Sequence, residues 1–423
     1  MGNSQSDETI LKKSFNESEL EKIKENYHKS YSIKGTDNKE YFDFTRFCKV
    51  IFFAQETKLI KLSKELNLNI TLIKDVTEKE FSESQHIQAT FKDYAAFVHL
   101  LSKSTVDETN KFTEFYLNCN QFSVIYDIFK GSKGSYDKPE KEIFQRIFAW
   151  LYQSYLSFCI YHNQEISSED IETQLNNMLK LDIKESTINS LMNKYYNLES
   201  FLYNIIKNSF LSTINHHTNF GLPILFSRTK TITSSQFFLF SLMNPHIYGK
   251  KFAYKLFDCS ESGFTLGNIV YSFLGFPGPV VILIQHFDKE TGNEPVVGCF
   301  LNSGFKECYE GYCGDDLSFI FSIDGYDIKY YKYSSINNSD RIAKIVSKSN
   351  KYSKSKPGIG MGDFYDEPRL WIDGGDLFGS SYFSKYDQIF EHGTPFGETE
   401  KQVLNVSYIL IFLFFIRLKI LKL

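Results

Sequence analysis

Apolar residues recur at helical spacing through the first half of the chain, and short, nearly unbroken apolar runs replace them in the second half. The first periodic segment begins at Asn16-Glu17-Ser18-Glu19, a capping-box-like sequence, with Leu20, Ile23 and Tyr27 behind it on one face. Further helices are predicted around Phe42 to Leu66, around Phe91 to Ser102, and from Pro139 through Ile143, Ile147, Trp150, Leu151 and Tyr155. Pro139 suits a first helical turn, where its missing N–H costs nothing. Another helix starts at Ser167 or Ser168 and carries Ile171, Leu175, Met178 and Leu179 on one face, and a last one covers Ile188 to Leu211. Residues 1–15 read as a flexible leader and 16–215 as a mostly helical region.

After Gly221 the punctuation by Pro and Gly increases. Val280 to Ile284 is a buried-strand candidate, and Val296 to Leu301 is its expected partner across the turn signal Thr291-Gly292-Asn293. Leu317 to Ile323 alternates as a strand and is followed across Asp324-Gly325 by Ile328 to Tyr333, a hairpin signature. The second half is therefore expected to be antiparallel β with a few helices, an α+β chain overall. Residues 334–356, rich in Ser, Asn and Lys and carrying Lys344, Lys348, Lys351, Lys354 and Lys356, read as a solvated loop insertion.

Composition narrows the function classes. A net charge of −4 supplies no field to gather phosphate backbones, so nucleic acid is not an expected partner. The seven cysteines are odd in number and scattered, with no secretory apolar segment before them, which points to a reducing, cytosolic setting. Met1-Gly2-Asn3-Ser4-Gln5-Ser6 fits the N-myristoylation pattern, with Gly2 as the lipid-anchor residue. One myristoyl chain binds membrane only marginally, so a second contact is expected elsewhere or on a protein partner. At the other end, Val403 to Ile416 is a run of 14 uncharged residues, short of the ~20 that cross a bilayer as a helix. Residues 403–423 are accordingly read either as an interfacial tail or, by preference, as sequence from a retained intron or mis-set gene end.

Candidate chemistry stays below its structural alternatives. Gly358, Gly360 and Gly362 follow a Lys/Ser-rich stretch and open no predicted helix, so they form a tight glycine loop rather than a phosphate cradle. His286, Cys299, Cys308 and Cys313 could supply zinc ligands, but only Cys308 and Cys313 are closely spaced. Asp315-Asp316, Asp366-Glu367 and Asp373 with Asp376 could pair as catalytic carboxylates, yet each sits at a predicted turn or strand edge, where capping is the usual role. No catalytic, cofactor-binding or metal-binding residues are assigned.

Five motifs over about 170 residues, in order, resemble the TLDc family: Phe240-Ser241 with Gly249-Lys250-Lys251-Phe252, Gly275-Phe276-Pro277-Gly278-Pro279, Gly314-Asp315-Asp316-Leu317-Ser318-Phe319, Pro357-Gly358-Ile359-Gly360-Met361-Gly362, and Leu370-Trp371-Ile372-Asp373. The first is a partial match and has its Phe-Ser at the end of an expected strand. The resemblance implies a two-sheet antiparallel β-sandwich with flanking helices over residues 222–402, following an N-terminal region that looks EF-hand-like. The family's closing strand, which reads like Phe-x-Ile-x-x-Leu-Glu-Val-Trp, has no match after Gln402, so that strand is expected to be missing. The whole arrangement is similar to family members that are myristoylated, sit on lysosomes and act in mTOR signalling. It implies a non-enzymatic, peripherally membrane-attached cytoplasmic adaptor that binds the V-type ATPase or acts in oxidative-stress resistance. The alternative is a thiol-dependent or hydrolytic enzyme of stress defence using Cys308 or Cys313. An EF-hand register over the helical half places Cys159, Tyr161 and Asn163 at the first ligand positions, Gln164 at the glycine position and Asp170 last, a set too poor in oxygen ligands for calcium.

Overall fold

The computed structural model describes residues 15–34, 40–43, 86–87, 140–161, 168–185, 187–210, 221–225, 229–276, 278–289, 291–304, 312–334, 342–346, 357–362, 368–375, 380–396 and 400–415. The chain divides into two compact units, Met1–Leu222 and Pro223–Leu423.

In the first unit α1 (Glu17–Ser30) opens with the expected capping box: the Asn16 N–H donates to Glu19 Oε2 and the Glu19 N–H to Asn16 Oδ1, both at 2.9 Å. Leu20, Ile23 and Tyr27 are its buried face. A small antiparallel sheet follows, β1 (Tyr31–Lys34), β2 (Glu40–Asp43) and β3 (His86–Ile87) in that order, which the helical periodicity did not foreshadow. It takes up Phe42, where a helix was expected to start; the rest of that segment, and Phe91 to Ser102, lie outside the described residues. The long α2 (Glu140–Tyr161) packs against α3 (Ser168–Leu179), with Tyr152 donating to Gln174 Oε1 at 2.5 Å. The run expected to be one helix from Ile188 is two, α4 (Ile188–Lys194) and α5 (Leu198–Phe210). The break falls in Tyr195-Tyr196-Asn197, where helix propensity is weak, and it buries the Tyr195 ring 4.8 Å from that of Phe148. Of the EF-hand register, α2 takes in Cys159 and Tyr161, and Asn163 and Gln164 lie outside the described residues.

The second unit is a β-sandwich with helices, as the resemblance implied. Its elements are β4 (Ile224–Leu225), α6 (Ser234–Met243), β5 (Phe252–Asp258), α7 (Cys259–Ser262), α8 (Leu266–Phe273), β6 (Val280–His286), β7 (Val296–Leu301), β8 (Phe319–Asp324), β9 (Asp327–Lys332), β10 (Ala343–Val346), β11 (Gly358–Met361), β12 (Leu370–Asp373), β13 (Tyr382–Ser384), β14 (Lys401–Val403) and β15 (Val406–Phe415). One sheet has the order β4-β5-β15-β6-β7-β8-β9, the other β10 through β14 in chain order. Between the sheets lie Phe257, Ile282, Val297, Ile320, Ile409 and Ile411 from the first and Ile359, Met361, Leu370, Ile372 and Phe383 from the second. The β6–β7 and β8–β9 hairpins form as read, the latter with Asp324 opposite Asp327 around Gly325 at φ +56°.

Four expectations change. Phe240-Ser241 is not a strand end: Thr233 and Gln236 form a reciprocal capping box that starts α6, and its Phe237 and Phe240 rings cover the outer face of the larger sheet. Within the glycine run 357–362, Gly358–Met361 is strand β11 rather than a loop. Gly358 is required there because a Cβ would lie 2.4 Å from the Trp371 ring and 2.5 Å from the Ile372 carbonyl oxygen. Within the 334–356 insertion, Ala343–Val346 pairs with Gly358–Met361 as an edge strand, while 335–341 and 347–356 lie outside the described residues. The largest change concerns the apolar tail. Val406–Phe415 is an inner strand of the larger sheet, antiparallel to β5 on one side and β6 on the other, so the closing strand is present and the domain runs past 402.

Candidate functional site

The sequence-derived candidates scatter. Gly2, Cys308, Asp366, Glu367 and Asp376 lie outside the described residues. His286 ends β6, Cys299 sits in mid β7 opposite Ile282 and Ile320, and Cys313 is bridged to Ala343. Among the described residues no three His, Cys, Asp or Glu side chains converge as a metal site. Asp315 accepts from Asn302 Nδ2, the Leu317 N–H and Ser318 Oγ at 3.0 to 3.2 Å, a turn-forming role. Asp373 is buried and accepts from the Gly375 N–H at 2.8 Å.

The thiols are built into the core. Cys313 Sγ donates to the Ala343 carbonyl at 3.5 Å. Burial pushes the Cys299 thiol up to about 12, and burial followed by the neighbouring Asp258 raises that of Cys259, whose sulfur accepts the Ile409 N–H. A thiolate is the reactive form, so these positions are poor nucleophiles near neutrality. Folded protein treated with iodoacetamide at about pH 8 is expected to leave Cys299 unmodified, with modification appearing only after denaturation. Peptide mass mapping checks this, and rapid labelling of Cys299 in the native state would contradict it.

Two polar nodes do stand out. At the end of β5, Asp258 Oδ1 accepts from the Ser260 N–H at 2.9 Å, Ser260 Oγ at 2.6 Å and the Tyr408 hydroxyl, and Oδ2 accepts from Lys255 at 3.3 Å. Lys255 also donates to Glu261 at 2.6 Å. Burial opposes ionisation of Asp258, but the donors outweigh it and hold the carboxyl below its ordinary value. Burial and the adjacent carboxylate push Tyr408 up to about 12. The carboxylate is thus occupied as a cap for α7 and as a tie between β5 and β15. The sequence could not expose this node, because Tyr408 lay in a segment read as foreign to the domain.

The second node is Arg369, 0% exposed, between the rings of Tyr331 and Phe383, each 5.1 Å from its guanidinium carbon. It donates to the Lys385 carbonyl and, at 2.6 Å, to the Gly393 carbonyl. Burial lowers its pKa to about 10, with Asp387 and Tyr331 opposing, so the side chain is still a cation near neutrality. Both nodes connect strands. On the outside of this unit Tyr254, Tyr271, Phe287, Leu317, Tyr386 and Val403 are exposed apolar side chains, Tyr271 the most at 85%.

Residues 225–412 match the family described as TLDc domain. A search of curated proteins finds no match to the chain.

Proposed function

We propose that this chain, which carries a TLDc domain, is a non-enzymatic adaptor that rests on the cytoplasmic face of lysosomal or related endomembranes and docks its TLDc domain on a protein complex there, the V-type ATPase. The observation that carries the reading is the TLDc match over 225–412, which is consistent with the oxidative-stress resistance of TLDc-family proteins. Supporting it, the strongest polar nodes of the domain are spent on holding strands together, and aromatic side chains such as Tyr271 and Tyr386 are presented outward. Among the described residues no helix is long and apolar enough to cross a membrane. Attachment is assigned to a myristoyl group on Gly2, on the Met1 to Ser6 pattern. A single myristoyl chain binds reversibly, and a second weak contact on the same surface multiplies residence through effective concentration.

Affinity purification of the full chain from lysosomal or vacuolar membranes, wild type beside Gly2→Ala, tests this. Wild type is expected to recover ATPase subunits and Gly2→Ala to lose roughly tenfold or more of the membrane-bound fraction, in line with one acyl chain acting with a second contact. Absence of ATPase subunits from the wild-type sample, with Gly2 acylated, would overturn the proposal.

A further inference from the structure

The strand β15 enters the larger sheet beside His286. That ring is 4% exposed, and its Nδ1 accepts the backbone N–H of Asn405 at 2.9 Å, immediately before β15 begins. Two further bonds close the junction: the Phe287 N–H donates to the Asn405 carbonyl at 2.9 Å, and Asn405 Nδ2 donates to the Phe287 carbonyl at 3.3 Å. The backbone of His286 is held separately, since its own N–H donates to the Pro295 carbonyl at 2.9 Å in the β6–β7 hairpin. The state of the ring therefore decides one of the three bonds at Asn405, the one to its N–H, and leaves the backbone bond of His286 in the hairpin untouched.

An imidazole nitrogen accepts a hydrogen bond only while it lacks a proton. Protonating Nδ1 would set a second donor against the Asn405 N–H and place a cation in a buried position. Burial disfavours that charge more than Asp288 and the Asn405 backbone favour it. The Phe396 ring stacks on the imidazole at 5.9 Å and 13°, the lead-in to β15 presents the Asn405 amide, and the charged neighbour acting on it is Asp288 in the β6–β7 turn. The Asp288 carboxylate is engaged by Thr291 Oγ1 at 2.6 Å.

We infer that His286 is an acid-sensitive latch at the start of the C-terminal strand: the neutral imidazole holds the Asn405 N–H where β15 enters the sheet, and protonation breaks that bond and loosens the entry. Burial moves the imidazole below its ordinary value, outweighing Asp288 and the Asn405 backbone, which oppose it, so the proton is harder to add in the folded chain than in the released one. The sign follows from linkage. The latch is complete above the released-state value of about 6.5 and weakens as the pH falls from there through the lowered folded value. Within that window each pH unit shifts the latched-to-released ratio by up to about tenfold. His246 also titrates below its ordinary value through burial, but it faces Asp315, Asp316 and Lys332, away from the Asn405 contact, so a readout at Asn405 separates the two.

The test uses the full chain with ¹⁵N-labelled histidine and amide detection at Asn405. In wild type the His286 ring is expected to carry its proton on Nε2 at pH 7.5, to titrate below about 6.5, and to lose the Asn405 amide signature in the same titration. His286→Gln, whose side-chain carbonyl can accept without titrating, is expected to keep Asn405 ordered down to pH 5.5. A wild-type ring protonated on Nδ1 at pH 7.5, a titration at or above about 6.5, or an Asn405 response that persists unchanged in His286→Gln would each overturn the latch. The tautomer and titration are read on wild type alone, so the inference stays testable should the variant fail to fold.

Discussion

Ending the chain at Val403 is expected to abolish the cooperative fold of the second unit. The strand that would be lost is not peripheral: β15 pairs with β5 from Leu410 to Phe415 and with β6 from Val406 to Leu413, so its removal leaves two long strands without their shared neighbour. Its side chains serve both faces. Ile409, Ile411 and Leu413 belong to the core between the sheets, while Phe412 and Phe414 meet Phe237 of α6 on the other side. With Val406 and Leu410, also fully buried, each contributes ~1.5 to 3 kcal/mol, a sum of roughly 10 to 20 kcal/mol, against total domain stabilities of about 5 to 15 kcal/mol. The smaller change Ile411→Ala, at a fully buried position, is expected to cost about 2 to 5 kcal/mol. Near-UV circular dichroism and denaturant unfolding read both. A chain ending at Val403 that still unfolds cooperatively with native near-UV signal would show that the sheet closes without β15.

The same strand shows where legibility ended. Alternation marks a strand with one wet face, and β9 was readable instead from the Asp324-Gly325 turn that joins it to β8. A strand covered on both faces loses its alternation and becomes an unbroken apolar run, which sequence alone shares with a membrane-seeking or non-coding stretch. Val280 to Ile284 escaped that ambiguity because Pro279 and the turn at Asp288 bounded it. Val406–Phe415 had no such punctuation and no match to the family's usual ending. The helix α6 was hidden in a related way: buried on nearly every side, Phe237 to Met243 has no polar stripe, and only the Thr233/Gln236 cap betrayed it. Glycines misled in the other direction. Gly358 reads as a turn residue, yet it is there so that the strand can pass under Trp371. The Asp258 and Arg369 nodes could not be read at all, since each joins segments far apart in sequence through contacts that no local pattern encodes.

Arg369→Ala is expected to destabilise the second unit by about 3 to 5 kcal/mol, a large effect for one side chain with no carboxylate in hydrogen-bond contact among the described residues. Its position explains the size. The Arg369 carbonyl accepts from Ser384 in β13, and its guanidinium reaches two carbonyls, Lys385 and Gly393, at the ends of a segment that leaves the smaller sheet and crosses to the larger one. That segment docks on the larger sheet's edge, where the Ser334 N–H donates to the Ile389 carbonyl at 2.7 Å and the Glu391 N–H to the Lys332 carbonyl at 2.8 Å. Alanine would strip both carbonyls of a charged donor and empty the slot between Tyr331 and Phe383, adding a cavity to the loss of hydrogen bonds. Arg369→Met separates the two contributions, because it keeps an apolar stem between the rings and removes only the donors; about half of the loss is expected to return. Lysine is no substitute, since one ammonium lacks the planar fork that spans two carbonyls. Denaturant midpoints for the three variants measure the stability, and amide exchange at Gly393, whose N–H donates to the Lys385 carbonyl at 3.1 Å, reports whether the crossing segment itself has come loose. A loss below ~1 kcal/mol for Arg369→Ala, with Gly393 still protected, would mean that the aromatic contacts hold this corner without the charge.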